Sequence, residues 1–178
     1  MCRRRWKKSD PQEPADHALG RSRGGFSTKI HLVCDGLGNP LHFELTAGQA
    51  HETTAFIDSL RHTDVRACQS QVRVSPVALA GDKAYRAKWI IEWLEQRGIQ
   101  SVIPEKGERA TDELNPGFDR ELYRRRNVVE RLVGWLKECR RVFSRFEKTA
   151  INYASMIKAA IIQRYLRMFC PDEFSDKA

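Results

Sequence analysis

The stretch that most restricts this chain is Leu122 to Lys137, LYRRRNVVERLVGWLK. It reads as an amphipathic helix carrying three consecutive arginines and a glutamate. At about 100° per residue, Tyr123, Arg126, Glu130 and Lys137 fall at about 0°, 300°, 340° and 320°, within roughly 60° of one another. Leu122, Val129, Leu132, Val133, Leu136 and Phe143 occupy a neighbouring arc from about 180° to 280°. The polar stripe therefore runs along the border of the apolar face. A carboxylate beside two cations there suits a metal or phosphate site. The same Arg126–Glu130 spacing also describes a plain i,i+4 ion pair, worth a few tenths of a kcal/mol to a surface helix.

Charge points to a polyanion. The 178 residues carry a net charge of +8, and the excess is clustered. From Arg120 to Lys148 there are ten basic residues against four acidic, and from Met1 to Ile30 eight against three. Clusters of this kind are an electrostatic footprint for nucleic acid, and Arg124 and Arg125 join Arg126 as candidate DNA contacts. No apolar run has the length to cross a bilayer, and the start MCRRRWKKSD has no apolar signal region, so a cytoplasmic, nucleoid-associated protein is expected. Five scattered cysteines without CxxC, and histidines without HExxH spacing, argue against a disulfide framework and against zinc.

The chain is long enough for one domain with its own core. Residues 1–25 read as a basic, irregular arm, 26–170 as the folded domain, and 171–178 as a tail. FSTKIHLVC alternates as a half-buried strand, with Phe26, Thr28, Ile30, Leu32 and Cys34 inward. DGLGNP is a turn and LHFELT a second strand, with Leu41, Phe43 and Leu45 inward, which makes an antiparallel hairpin. Thr53 or Thr54 can cap a short helix bearing Phe56, Ile57 and Leu60. SPVALAGD reads as a strand buried on both faces and ending at Asp82. RAKWIIEWLEQRG is a helix closed by Gly98, on which Trp89 and Trp93 are read as core. IQSVIP is a further strand. A long helix from about Asp119 into the 140s and a last amphipathic helix, INYASMIKAAIIQRYLRMF, complete the order. This order implies a mixed α/β sheet with helices packed against it.

Asp82 at a strand end and Glu130 on a cation-rimmed helix are hard oxygen donors suited to Mg²⁺ or Mn²⁺. With a third carboxylate they could hold two ions, one activating a water or 3′-hydroxyl and one stabilising the leaving oxygen of a phosphodiester. Taken alone, Asp82 could equally be a turn cap.

Tyr123, Arg126, Glu130 and Lys137 fit the Y-(2)-R-(3)-E-(6)-K signature of bacterial insertion-sequence transposases of the DDE type, and the chain resembles the insertion-sequence-five group. LAGDKAY resembles the block around that family's second catalytic aspartate, here Asp82. GRSRGGFSTKIHLVCDGLGNPLHFELTAGQAHE resembles the hairpin block between the first and second acids. The likeness spans roughly residues 18 to 168. It implies a ribonuclease-H-like fold, Asp82 and Glu130 as catalytic metal ligands, and Arg126 and Lys137 in contact with DNA or the carboxylates. Tyr123 would support the site. The implied partner is double-stranded DNA, at element ends and target; a homo-oligomer is open, and the sequence does not set the oligomeric state.

The family's first catalytic aspartate has no counterpart in this chain. Asp10 and Asp16 follow no apolar run, and Asp35 lies in the hairpin turn. The expected fold is therefore a ribonuclease-H-like sheet lacking its first, central strand. Two origins fit: the second frame of a transposase completed by frameshifting from an upstream frame, or a truncated copy. The competing functions are a non-catalytic DNA-binding remnant or regulator, and a metal-dependent nuclease of the same fold.

Overall fold

A computed structural model describes residues 11–61, 63, 65–66, 73–105 and 118–171. Among them the chain forms β1 (Gly20–Ser22), β2 (Gly25–Cys34), β3 (Pro40–Ala47), α1 (Phe56–Arg61), β4 (Val65–Arg66), β5 (Arg73–Val74), β6 (Ala78–Ala80), α2 (Lys88–Glu95), β7 (Gln100–Val102), α3 (Arg120–Arg125), α4 (Asn127–Glu138), α5 (Arg140–Phe143) and α6 (Ala150–Phe169). The class is mixed α/β, but the described strands do not join into one sheet. They make a three-stranded sheet in the order β1-β2-β3, an antiparallel β4-β5 pair and a parallel β6-β7 pair. No helix among them is long and apolar enough to cross a membrane.

The chain divides into two compact units: residues 1–29, 45–49 and 136–178, and residues 30–44 and 50–135. In the second unit the parallel pair sets Ala78, Leu79 and Ala80 opposite Gln100, Ser101 and Val102. The core here is Phe56, Ile90, Leu94, Ile99 and Ile103, with Leu79, Tyr85 and Trp93 packed against it. Trp89 and Trp93 each meet the Phe56 ring edge-on, with centroids 6.0 and 5.9 Å away, rather than each other. Gly98, at φ +66°, closes α2 as its sequence required, and the Ile99 N–H turns back to the Leu94 carbonyl at 3.0 Å. The short helix α1 is entered through a 3-10 turn over Glu52–Ala55. His51, not a threonine, caps that turn, its ring accepting from the Thr53 N–H. Strand β6 is shorter and more open than a strand covered on both faces: Ala78–Ala80 are half-buried and Val77 is exposed.

The hairpin also departs from its alternation. Phe26 is 75% exposed, whereas His31, on the face assigned to solvent, is 6% exposed. A tertiary partner sets this, because the His31 Nδ1 lies 3.1 Å from the Tyr85 hydroxyl. The turn itself is built by Asp35, whose carboxylate accepts from the N–H of Leu37 and of Asn39 and from the Asn39 side chain, each at 2.9 Å.

The first unit buries Ala18, Ala47, Leu136, Val142, Ala150, Tyr153, Ile157 and Ala160. Strand β1 pairs with the start of β2, Gly20 opposite Ser27. A Cβ on Gly48 would stand 2.9 Å from the Ser27 carbonyl oxygen and 3.0 Å from that of Gly20, so only glycine lets the backbones approach there. Helix α6 is capped twice. Thr149 accepts from the Asn152 N–H at 3.3 Å, and the buried Glu13 carboxylate accepts from the N–H groups of Ala150 and Ile151 at 2.7 and 2.9 Å. A carboxylate at that helix end meets both the unpaired N–H groups and the positive end of the helix dipole.

The long helix read from about Asp119 into the 140s is three helices. Its cap holds: Asp119 accepts from the Leu122 N–H at 2.8 Å. At Arg126 the chain tightens, with the Arg126 N–H on the Tyr123 carbonyl and the Val129 N–H on that of Arg126, both three-residue spans. Asn127, a poor helix former, and the β-branched Val128 and Val129 come directly after. The second break is at Cys139, whose backbone is extended (φ −72°, ψ 96°). That break re-phases α5: Phe143, assigned to the apolar arc, is 68% exposed.

Candidate active site

Asp82 follows β6 after Gly81, whose N–H is bonded across to the Val102 carbonyl. It heads a 3-10 turn over Lys83–Tyr85 with extended backbone (φ −70°, ψ 154°), yet its side chain makes no capping bond. Its carboxylate is exposed and has no hydrogen-bond or ion-pair partner among the described residues. The capping role that would account for this aspartate is thus not the one it performs.

Tyr85, three residues on, turns its hydroxyl to His31. Burial, and then the negative charges of Glu52 and Asp82, push that hydroxyl up to about 12. Asp82 and Glu52 therefore both act on one half-buried phenol, and Tyr85 stays neutral through the physiological range. Sequence reasoning missed Glu52, Tyr85 and His31. Tyr85 lay within LAGDKAY and Glu52 at the end of the hairpin block, but no local period marks either, and His31 alternates with the residues read as inward.

Tyr123, Arg126 and Glu130 come together as the helical spacing required. The Arg126 guanidinium donates to the Glu130 carboxylate at 2.5 Å and lies 5.3 Å from the Tyr123 ring centroid. Tyr123 in turn leans on Phe118, ring to ring at 5.4 Å. The pair is unevenly covered, Arg126 being 24% exposed and Glu130 56%. Arg126 Nε is buried without a hydrogen-bond partner among the described residues. The unpaired Nε offsets part of what the ion pair and the ring contact contribute. The neighbouring arginines differ: Arg125 stands 3.7 Å from Glu121, whereas Arg124 is exposed with no acidic partner among the described residues. Lys137 is exposed in the last turn of α4.

Two features here are ones that a structural ion pair does not need: a carboxylate presented by a cation on a braced ring, and a separate strand-end aspartate left bare. The sequence profile described as a transposase DDE domain matches residues 4–163. The chain belongs to that family. DDE transposases are polynucleotidyl transferases acting in DNA transposition. A curated relative, the "Putative transposase for insertion sequence element IS402" of Burkholderia cepacia, is 31% identical over 160 residues, covering 87% of this chain and 68% of the relative. No solved structure matches at a significant level.

Oxygen-donor chemistry at Asp82 and Glu130 fits the hard divalent cations such transposases use. Glu130 already spends one oxygen on Arg126. Among the described residues no three His, Cys, Asp or Glu side chains gather closely enough to share an ion. The acids that could deputise are engaged elsewhere or lie outside the described residues. Asp16 accepts from the Ala18 N–H at 2.9 Å and Asp35 is consumed by the hairpin turn. Burial pushes the Asp35 carboxyl up, but the bonds from Asn39, Leu37 and Gly38 outweigh it and hold it below the usual range. Asp10 is among the residues not described.

Proposed function

We propose that this chain is the part of an insertion-sequence-five-group DDE transposase that supplies two of three catalytic carboxylates, Asp82 and Glu130, on a ribonuclease-H-like framework. The observation that carries the reading is the bare Asp82 carboxylate at the end of β6, relieved of the capping duty its position offers. Asp82 and Glu130 would hold Mg²⁺ or Mn²⁺. With a third carboxylate the site would supply two such ions, one to lower the pKa of an attacking water or 3′-hydroxyl and one to stabilise the leaving oxygen of the phosphodiester. Arg126 holds the Glu130 carboxylate in one orientation, Tyr123 braces Arg126, and the neutral Tyr85 keeps a fixed polar wall beside Asp82. Arg124, Arg125 and Lys137 bind phosphates of double-stranded DNA at element ends and target. The third carboxylate comes from outside the described residues, for which an upstream reading frame is the natural source.

The test is strand cleavage at element ends by a transposase containing these residues. Asp82→Asn and Glu130→Gln should each abolish cleavage while leaving duplex binding intact. Full cleavage by either variant returns both residues to structural roles. A second reading, a non-catalytic DNA-binding regulator, is favoured by the absence of a three-ligand cluster among the described residues. It predicts duplex binding with no cleavage even when the missing carboxylate is supplied.

A further inference from the structure

Between α5 and α6 lies a loop whose architecture the transposition chemistry does not use. Arg145 sits at its centre with φ 25°, in the left-handed region that side chains rarely adopt. Its guanidinium is saturated: Nε donates to the Glu147 carbonyl, one terminal nitrogen to the Ala18 carbonyl and the Thr28 hydroxyl, and the other to the carbonyls of His17 and Lys148. It also stands over the Tyr153 ring at 5.0 Å. An arginine with every donor committed to protein has none left for a phosphate. Arg145, although part of the basic cluster, is a strut that fixes the loop.

What that strut presents is two aromatic rings in water. Phe143 is 68% exposed and Phe146 61%. The same stretch of chain carries Arg140, Arg141 and Lys148, all exposed. Arg141 reaches Glu147 at 3.6 Å, while Arg140 and Lys148 have no acidic partner among the described residues. From Lys137 to Lys148 there are four cations besides Arg145, against two acids. A positive rim disfavours a second copy of the same face and attracts a polyanion. Exposed aromatic rings set among cations are the means by which proteins hold unpaired bases, the rings stacking on bases while the cations track the backbone. Duplex bases are already stacked and offer no face to the rings.

We propose that Phe143 and Phe146 form a stacking site for unpaired bases of a DNA strand, with Arg140, Arg141 and Lys148 on its phosphates. This rests on the reading that the chain acts on DNA, but not on its metal chemistry. The test uses the whole 178-residue chain in EDTA, with labelled single-stranded and duplex oligonucleotides and a 2-aminopurine probe whose emission is quenched on stacking. Phe143→Ala and Phe146→Ala should each weaken single-strand binding roughly 5- to 100-fold and relieve the quenching, with duplex affinity changed by less than about twofold. Leucine at either position should fail like alanine, since it keeps apolar bulk without a ring, and tryptophan should restore binding. Equal losses on both DNA forms, or no loss, would overturn the stacking site while leaving the DNA reading in place. A change in sedimentation mass instead of DNA affinity would assign the rings to a protein interface and overturn it too. Absence of DNA binding by the unaltered chain would refute both readings.

Discussion

Three consecutive arginines, Arg124 to Arg126, are equivalent in sequence but differ in their partners, so three single Arg→Gln variants should separate into distinct phenotypes. Arg124 is exposed and has no acidic partner among the described residues. If it meets a phosphate, its loss should lower the slope of log affinity against log salt by about 0.9. Between about 50 and 200 mM salt, that makes the variant's loss of duplex affinity about 3.5-fold smaller than the parent's. Its melting temperature should not move, because an unpaired surface substitution stays within about 0.5 kcal/mol. Arg126 should behave oppositely. Its charge already faces Glu130 at 2.5 Å, so the pair releases little counterion on binding. The ion pair, worth about 0.3–0.5 kcal/mol at this exposure, and the contact with Tyr123, about 0.5 kcal/mol, together come to about 1 kcal/mol. That is about 2–4 °C of melting temperature for a chain of this size. Cleavage should fall far more, about a hundredfold or beyond, if Arg126 orients a metal-binding carboxylate. Arg125, 3.7 Å from Glu121, should lie between the two. The assays are fluorescence anisotropy across the salt series, thermal melting by circular dichroism, and end cleavage. The reasoning fails if all three variants flatten the salt slope equally, or if Arg126→Gln does so with no change in melting temperature.

Two further outcomes concern pH. Burial pushes the Glu13 carboxyl up, but the N–H groups of Ile151 and Ala150, with His17, outweigh it, so its folded pKa lies below 4.5. The cap's contribution is therefore complete above that value and lost as pH falls through the folded pKa. Glu13→Gln should cost about 1–2 kcal/mol in denaturant melts near neutrality, and the difference should vanish in strong acid; a constant deficit at all pH would refute a charged cap. Tyr85 titrates the other way. Its pKa is raised from 10.0 to about 12, so the stability it contributes is complete below pH 10.0 and lost as pH climbs towards 12. That is at most about 2.7 kcal/mol, reduced to about 1 kcal/mol by solvent screening of the partly open ring. Asp82→Asn should move the tyrosinate absorbance transition to lower pH, and an unmoved transition would place the Asp82 charge elsewhere.

What the residues determined by themselves was whatever lies within a helical turn or a hairpin. The spacing of Tyr123, Arg126 and Glu130 brought those three side chains together, and Asp119 before α3 and Gly98 after α2 set the helix ends. Each rests on contacts between residues three or four apart, which leave a period or a cap in the sequence. The tertiary structure alone decided the rest. Glu13 caps a helix that begins at Ala150, and Arg145 ties its loop to His17, Ala18 and Thr28. His31 is buried against alternation because Tyr85, 54 positions on, offers it a hydroxyl. Partners so distant leave no periodic trace, so nothing local separates the arginine that serves as a strut from those left exposed. The break at Cys139 is of the same kind. A strict 3.6-residue count carries Phe143 into the core, and a single extended residue turns it out to water, where the ring becomes available to a ligand.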